Sequence, residues 1–137
     1  MKLPIARPES TFLGSTAALD LAQGASLPIN RAIEFIESSF AQRVSLATIA
    51  AAAGLSVSRL TTRFRKEVGV SPHQYLSLVR IGHAQQMLRA GTPPSAVATA
   101  VGFFDQSHLG RHFRRMVGTT PKDYTKLQLL ESRSELG

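Results

Sequence analysis

The sequence predicts an all-α fold in which two similar helical units are joined by one longer helix. Apolar residues recur at helical spacing in several segments after residue 28. A sixteen-residue pattern occurs twice, forty-nine positions apart. Between the two copies lies a segment of about 19 residues that begins with a helix-capping motif.

The first predicted element is an amphipathic helix that starts near Pro28, a residue suited to the first helical position. Its apolar and charged residues fall on opposite faces, as a core-facing helix requires. The apolar face consists of Ile29, Ala32, Ile33, Ile36 and Phe40, and the charged face of Arg31, Glu34 and Glu37. We interpret residues 1–27, rich in Pro, Ser, Thr, Gly and Ala, as a flexible tail or linker with one short helix around Ala17–Gln23.

The strongest feature is an internal repeat between residues 60–75 and residues 109–124. Aligned without gaps, the two segments are identical at seven of sixteen positions. Chance would give about one identity, so one structural unit occurs twice. The identical pairs are Leu60/Leu109, Phe64/Phe113, Arg65/Arg114, Val68/Val117, Gly69/Gly118, Pro72/Pro121 and Tyr75/Tyr124.

Both copies carry the same order of local signals. A short apolar helix is predicted at Leu46–Ala53 in the first unit and at Pro93–Val101 in the second. A second helix follows a tight turn, with apolar residues at every fourth position, and this order is typical of a helix-turn-helix. The predicted N-caps are Ser45, Ser56, Thr92 and Asp105, and the predicted terminating glycines are Gly54, Gly69, Gly102 and Gly118.

The segment between the units is predicted to be one continuous helix from Pro72 to Ala90. Ser71 and Gln74 have the spacing of a capping box at its start. A helix of that length spans about 28 Å, and one turn of B-DNA is about 34 Å long. Such a rod could hold the second helices of the two units in successive major grooves on one face of a duplex.

Charge is concentrated in one part of the chain. The net charge is +7, yet residues 57–126 alone hold eleven Lys or Arg and three Asp or Glu. This distribution indicates a polyanionic partner, either nucleic acid or an anionic membrane, and suits a phosphate-binding surface.

No apolar run is long enough to span a membrane, the N-terminus lacks a signal-peptide pattern, and no cysteine is present. The lack of cysteine excludes disulfides, thiolate metal sites and cysteine nucleophiles.

The second helix of each unit carries the candidate DNA contacts on the side opposite its apolar stripe. Arginine can bind guanine, glutamine can bind adenine, and threonine can contact a thymine methyl group. The N-terminal half of a recognition helix normally reaches the bases, while contacts to phosphate position the protein. The base-reading candidates are Ser58, Arg59, Thr61, Thr62, Gln106, Ser107, His108 and Arg111, and the phosphate candidates are Arg63, Arg65, Lys66, Arg114, Arg115 and Lys122.

Other functions find less support in the sequence. His108 and His112 are four residues apart, but no carboxylate or cysteine except Asp105 accompanies them, so we predict no metal site and no cofactor. No catalytic constellation is evident, so we predict that the chain is not an enzyme. Phe103, Phe104, Tyr75 and Tyr124 could stack on bases, although core packing is the stronger expectation. A solvated helix face remains the alternative for each single polar residue.

Residues 30–124 resemble the DNA-binding region of AraC/XylS-type bacterial transcription regulators. The matching stretches are LATIAAAAGLSVSRLTTRFRKEVGVSPHQYLSLVRIGHAQQML and VATAVGFFDQSHLGRHFRRMVGTTPKDY. The resemblance implies seven helices, sequence-specific binding to double-stranded promoter DNA, activation through RNA polymerase and a cytoplasmic, nucleoid location without membrane binding. Its base-contact positions fall on Ser58, Thr61, Thr62, Gln106, Ser107, His108 and Arg111.

Four residues depart from the family pattern: Gly82, Pro94, Phe104 and Gly110.

We divide the chain into a tail (1–27), a DNA-binding domain (28–126) and a C-terminal tail (127–137). Within the domain, the units are 28–70 and 92–126, and the connecting helix is 71–91. Family members usually carry an N-terminal sensor domain, and the linker-like composition of residues 1–27 favours a fragment of a longer regulator. An effector ligand is expected only if such a sensor domain exists. The rival functions are a sequence-neutral architectural protein that binds nucleic acid and a helical module that docks on RNA polymerase.

Overall fold

The computed structural model describes residues 21–136, with side chains to residue 133, and all regular structure in this part of the chain is helical. From Leu27 to Leu136, seven helices follow one another, which confirms the predicted fold class. Of the short helix expected around Ala17–Gln23, only Leu21 and Ala22 are described as helical, and residues 17–20 lie outside the described part. The helices are α1 (Leu27–Ser39), α2 (Leu46–Ala53), α3 (Val57–Val68), α4 (Pro72–Arg89), α5 (Pro94–Ala100), α6 (Gln106–Val117) and α7 (Pro121–Leu136).

Side-chain capping fixes the start of four helices where the sequence predicts it. The hydroxyls of Ser45, Ser56 and Ser71 and the carboxylate of Asp105 each accept a hydrogen bond from a backbone N–H of the first turn. The backbone N–H groups of Ser45 and Ser71 also donate to the side chains of Thr48 and Gln74, which completes a capping box at each helix start. These caps satisfy N–H groups that have no partner inside the helix, and so define where each helix begins.

The predicted cap at Thr92 is wrong. Pro93 is the N-cap of α5, and no side chain caps this helix. Thr92 belongs instead to the end of α4, because its backbone N–H donates to the carbonyl of Met87 at 3.0 Å. Pro94 occupies the first turn of α5, where its missing N–H costs nothing.

Two apolar cores lie on either side of α4. The first core is built from α1, α2, α3 and the N-terminal half of α4, and the second from the rest of α4 with α5, α6 and α7. Since α4 serves both cores, apolar residues surround it, and it shows no single polar face. The partly buried Phe40 packs against both cores.

The repeated aromatic residues occupy equivalent places in the two cores. Phe64 meets Tyr75 edge to face with ring centroids 5.6 Å apart. Phe113 meets Tyr124 in the same manner at 5.3 Å. All four rings are buried, as the core-packing interpretation predicts for the tyrosines. The internal repeat is therefore a repeat of packing geometry as well as of sequence.

Both predicted tails contain residues that belong to the folded part. Before α1, the backbone N–H of Ser26 donates to Glu67 Oε1 at 2.7 Å, and Leu21 packs against both cores. Beyond residue 126, α7 continues to Leu136, because Lys, Leu, Gln and Glu favour a helix and no glycine interrupts them.

Within the described residues, no helix is long and apolar enough to cross a membrane.

Candidate nucleic-acid interface

The second helix of each unit turns its apolar stripe into a core. In α3 the buried residues are Leu60, Phe64 and Val68, as predicted. In α6 they are Leu109, Phe113 and Met116, and the predicted Val117 is only half-buried. This packing leaves the opposite, polar side of each helix at the surface.

Six of the eight base-reading candidates are exposed and make no side-chain hydrogen bond to another described residue. This group consists of Ser58, Arg59, Thr62, Gln106, Ser107 and Arg111. Their donors and acceptors are available to an external partner. Thr61 differs, because it is half-buried and its hydroxyl donates to the carbonyl of Val57 at 2.9 Å. That bond uses the hydroxyl proton, so the methyl group and the acceptor lone pairs of Thr61 remain for an external partner.

His108 is held by neighbours at the start of α6. Its Nδ1 accepts a hydrogen bond from the backbone N–H of Phe104 at 3.3 Å. The Nε2 of His108 lies at a hydrogen-bonding distance of 3.2 Å from Nε2 of His112. Phe103 packs edge to face on the same ring. These contacts hold the His108 side chain against the start of α6, so it is less available to an external partner than the six exposed candidates.

His112 lies in a positively charged and partly buried environment. Its ring stacks on Phe103 with centroids 5.2 Å apart. Burial lowers the pKa of His112 below its usual value, and nearby positive charges lower it further; they come from His108, Arg115, Arg111 and Arg80. The lowered pKa favours the neutral form of His112, the side chain that stacks on Phe103. No group of three metal-ligating side chains occurs among the described residues.

Five of the six phosphate candidates are exposed and form no ion pair with another described residue: Arg65, Lys66, Arg114, Arg115 and Lys122. Arg63 has a different role. Its guanidinium pairs with Glu67 at 3.3 Å and donates to the Ser26 hydroxyl at 3.0 Å. The Ser26 N–H is the main group that lowers the pKa of Glu67. Arg63 therefore links α3 to the segment before α1.

The basic residues fall into two groups, those that bond within the chain and those that are exposed to an external partner. Of the eleven in residues 57–126, Arg63, Arg80 and Arg89 bond within the chain. The other eight are exposed, including Lys126, which our sequence analysis did not include among the candidates. Its signal was its place in the basic stretch, one turn after Lys122 on α7. The positive charge is therefore carried mainly by the surfaces of α3, α6 and α7.

A junction between the two units is centred on Arg80 of α4. Its guanidinium donates to the carbonyls of Phe40 and Gln42, at 2.8 Å and 3.0 Å, just after α1. The same group lies 5.7 Å from the centre of the Phe103 ring, in the turn before α6. One side chain thus contacts both units, a role that no sequence motif signals.

The backbone closes the same junction. Gly102, with a φ of +97°, approaches Phe40 so closely that a Cβ at this position would lie 2.6 Å from the Phe40 carbonyl oxygen. Phe40 also stacks on His83 of α4, with ring centroids 4.0 Å apart. These contacts hold the turn before α6 against the end of α1 and couple the positions of the two units.

Comparison with known proteins agrees with this arrangement. The sequence model of a family described as a helix-turn-helix domain matches residues 49–127. A putative AraC-like transcription regulator of Streptomyces antibioticus is 38% identical over 96 residues, which cover 69% of this chain and 32% of that protein. The transcriptional activator RhaS of Klebsiella pneumoniae is 30% identical over 96 residues, or 69% of this chain and 34% of that protein.

Solved structures have the same fold. The DNA-binding domain of the global transcriptional factor AdpA, in complex with a target DNA, has a TM-score of 0.72 and 28% identity, over 82% of this chain and all of that one. The C-terminal domain of AraT, a response regulator of Geobacillus stearothermophilus, has a TM-score of 0.73 and 24% identity, over 77% of this chain and 88% of that one.

The chain spans about a third of the length of the curated relatives it matches. The matched relatives are transcription regulators and not enzymes, in agreement with the sequence analysis. The family model covers more than half of this chain. The chain belongs to the AraC-type helix-turn-helix family of transcription regulators and contains its DNA-binding domain.

Proposed function

We propose that this chain is the DNA-binding part of a sequence-specific transcription activator that inserts α3 and α6 into adjacent major grooves of a promoter. The observation that carries the proposal is the pair of equivalent helices with exposed polar N-terminal halves, one on each side of an 18-residue helix. That connecting helix is about 27 Å long, close to the pitch of B-DNA, about 34 Å. In this proposal each of the two units (28–70 and 92–126) recognises one half-site, and the connecting helix α4 joins them.

The exposed side chains divide into two roles. Ser58, Arg59 and Thr62 on α3 and Gln106, Ser107 and Arg111 on α6 read base edges, because they lie in the first half of each helix. The cations nearer the helix ends and on α7 contact phosphates and supply sequence-independent attraction. These are Arg65, Lys66, Arg114, Arg115, Lys122 and Lys126.

Further partners follow from the class of regulator. Two relatives carry the word activator in their names, RhaS and the lactose operon transcription activator of Staphylococcus xylosus. These names support activation, and we propose that it acts through contact with RNA polymerase in the bacterial cytoplasm. An effector ligand would bind a sensor domain elsewhere in a longer regulator, since the relatives are about three times as long as the matched region.

Selection of bound sites from a random duplex library tests the proposal. We expect a site of about 20 base pairs with two half-sites about one helical turn apart. Enrichment of no motif would instead support a sequence-neutral architectural protein. Loss of all DNA binding, with retention of RNA polymerase binding, would support a docking module.

Two arginine variants separate the proposed roles. Arg111→Ala should relax the preference at one base pair of the α6 half-site and cost about 1–3 kcal/mol on the selected duplex. Arg65→Ala should weaken selected and random duplexes alike and lower the salt slope by about 1. Titrations at several salt concentrations measure both effects, with Arg31→Ala on α1 as an exposed control. Equal weakening of both duplexes by Arg111→Ala would contradict its base-reading role.

A further inference from the structure

The turn before α6 is one residue longer than the turn before α3. After the left-handed Gly54, Leu55 alone precedes the N-cap Ser56. After the left-handed Gly102, two residues precede the N-cap Asp105. The first residue after each glycine packs inward, since Leu55 lies against the first core and Phe103 is buried in the second. The additional residue of the second unit is therefore Phe104.

Phe104 has no packing role within the described part of the chain. Its side chain is 87% exposed, the highest value among the large apolar residues at the surface. A hydrophobic residue just before an N-cap often packs on the fourth helical residue, here Leu109. Because Phe104 is 87% exposed, its ring can share little contact area with the buried Leu109.

The position of Phe104 connects it to the proposed base-reading side chains. Its backbone N–H donates to His108 Nδ1, which fastens the turn to the first turn of α6. Gln106 and Ser107 follow two and three positions later and are exposed. The exposed phenyl ring of Phe104 therefore lies next to the polar N-terminal end of α6, the end that would enter the major groove.

We propose that Phe104 is a specificity-determining residue that packs on the 5-methyl group of a thymine at the edge of the α6 half-site. The thymine methyl is the apolar group that base pairs present in the major groove, and phenylalanine is among the side chains that contact it. This inference rests on the proposed function. It adds an apolar contact from the inserted turn residue to the polar contacts from α6.

Replacing single thymines by deoxyuridine removes only the methyl group and therefore tests the contact. The full chain is titrated against the selected duplex and against duplexes with one thymine replaced at a time. Wild type should lose about fourfold in affinity at one position of the α6 half-site, the value of one buried methyl group. Phe104→Ala should lose a similar factor on the thymine duplex and show no further loss on the deoxyuridine duplex. Phe104→Leu should retain most of the sensitivity.

Each result has a defined meaning. Wild-type insensitivity to deoxyuridine throughout the α6 half-site, or equal weakening of both duplexes by Phe104→Ala, would overturn the methyl contact while specific binding persists. Failure of wild type to prefer the selected duplex over random DNA would overturn the proposed function itself. Leu130→Ala, which truncates an exposed side chain on α7, is the matched control and should change neither affinity nor deoxyuridine sensitivity.

Discussion

Arg63 and His112 occupy the same position in the two copies of the repeat, yet they have different partners. In the first unit, Glu67 lies one turn later and pairs with Arg63. In the second unit, Met116 takes that position and is buried, while His112 stacks on Phe103. At the scale of single residues, equivalent positions of the repeat therefore acquire different partners because the residues around them differ.

The lowered pKa of His112 predicts that stability falls in mild acid. Between its lowered pKa and the ordinary value of 6.5, the unfolded chain binds a proton that the folded chain does not. The contribution is complete above the ordinary value and is lost as pH falls through this window. Urea unfolding from about pH 7 to about pH 5 should show the loss, and His112→Gln should reduce the slope. An unchanged slope in the variant would contradict this account.

Gln85 is fully buried in α4, and neither its amide nitrogen nor its amide oxygen has a hydrogen-bond partner among the described residues. A buried unsatisfied polar group costs about 1–3 kcal/mol. Gln85→Met keeps the approximate volume and removes both groups, so the free energy of unfolding should rise by about 1 kcal/mol or more. Chemical denaturation measures the change. The exposed neighbour offers the control Gln86→Met, which should have little effect, and a destabilised Gln85→Met would refute the expectation.

At the scale of elements, helix ends are set by local chemistry and helix surfaces by packing. Serine and aspartate caps start α2, α3, α4 and α6, and left-handed glycines terminate α3 and α6. The surface of α4 cannot be assigned from its pattern alone, since both cores require apolar residues from it. Gly110, within α6, is an internal weak point of the helix that would enter DNA.

Two glycine variants of α6 have opposite expected effects. A Cβ at Gly110 or at Gly118 would meet no atom within 4 Å, so space is not the difference. Gly110 lies in the helix interior, and Gly110→Ala should stabilise the protein by about 1 kcal/mol. Gly118 has a φ of +93°, and Gly118→Ala should destabilise it by about 1–2 kcal/mol. Thermal unfolding of the two variants checks the signs, and a destabilising Gly110→Ala would show an unrecognised constraint on α6.

At the scale of the whole molecule, the contacts around Arg80 and Gly102 couple the two units. Binding two grooves at once requires a fixed relation between α3 and α6, because any reorientation on binding would reduce affinity. The junction joins the end of α1 to the turn before α6, beside the connecting helix. Sequence recognition would then require both units together, held in a fixed relative position.

Gly102→Ala tests the junction. Its Cβ would clash with the Phe40 carbonyl in addition to the strain of a φ of +97°. Gly54→Ala is the matched control, with a φ of +72° and open space. Gly102→Ala should be less stable than the control by about 1–3 kcal/mol, and it should weaken binding to a two-half-site duplex more than to an isolated half-site. Equal effects of the two variants would show that the close approach does not couple the units.

Much of the fold and part of the interface could be predicted from the sequence by itself. Cap residues, terminating glycines and helical periodicity act over a few residues, so they fixed the existence and approximate bounds of six helices and the repeat. The N-cap of α5 is Pro93 and not the predicted Thr92, whose backbone N–H bonds to the preceding helix. The extent of α7 was underestimated because no breaker ends the pattern at residue 126.

Only the tertiary structure decided which polar side chains remain available. Arg63, His108 and Arg80 look like their exposed neighbours in sequence, but each bonds within the chain. Phe103 and Phe104 are identical in type, and one is buried while the other faces solvent. The Ser26 hydroxyl that Arg63 contacts lies 37 positions away, and the Phe40 carbonyl that Arg80 contacts lies 40 positions away. Local sequence patterns carry no information about such distant contacts.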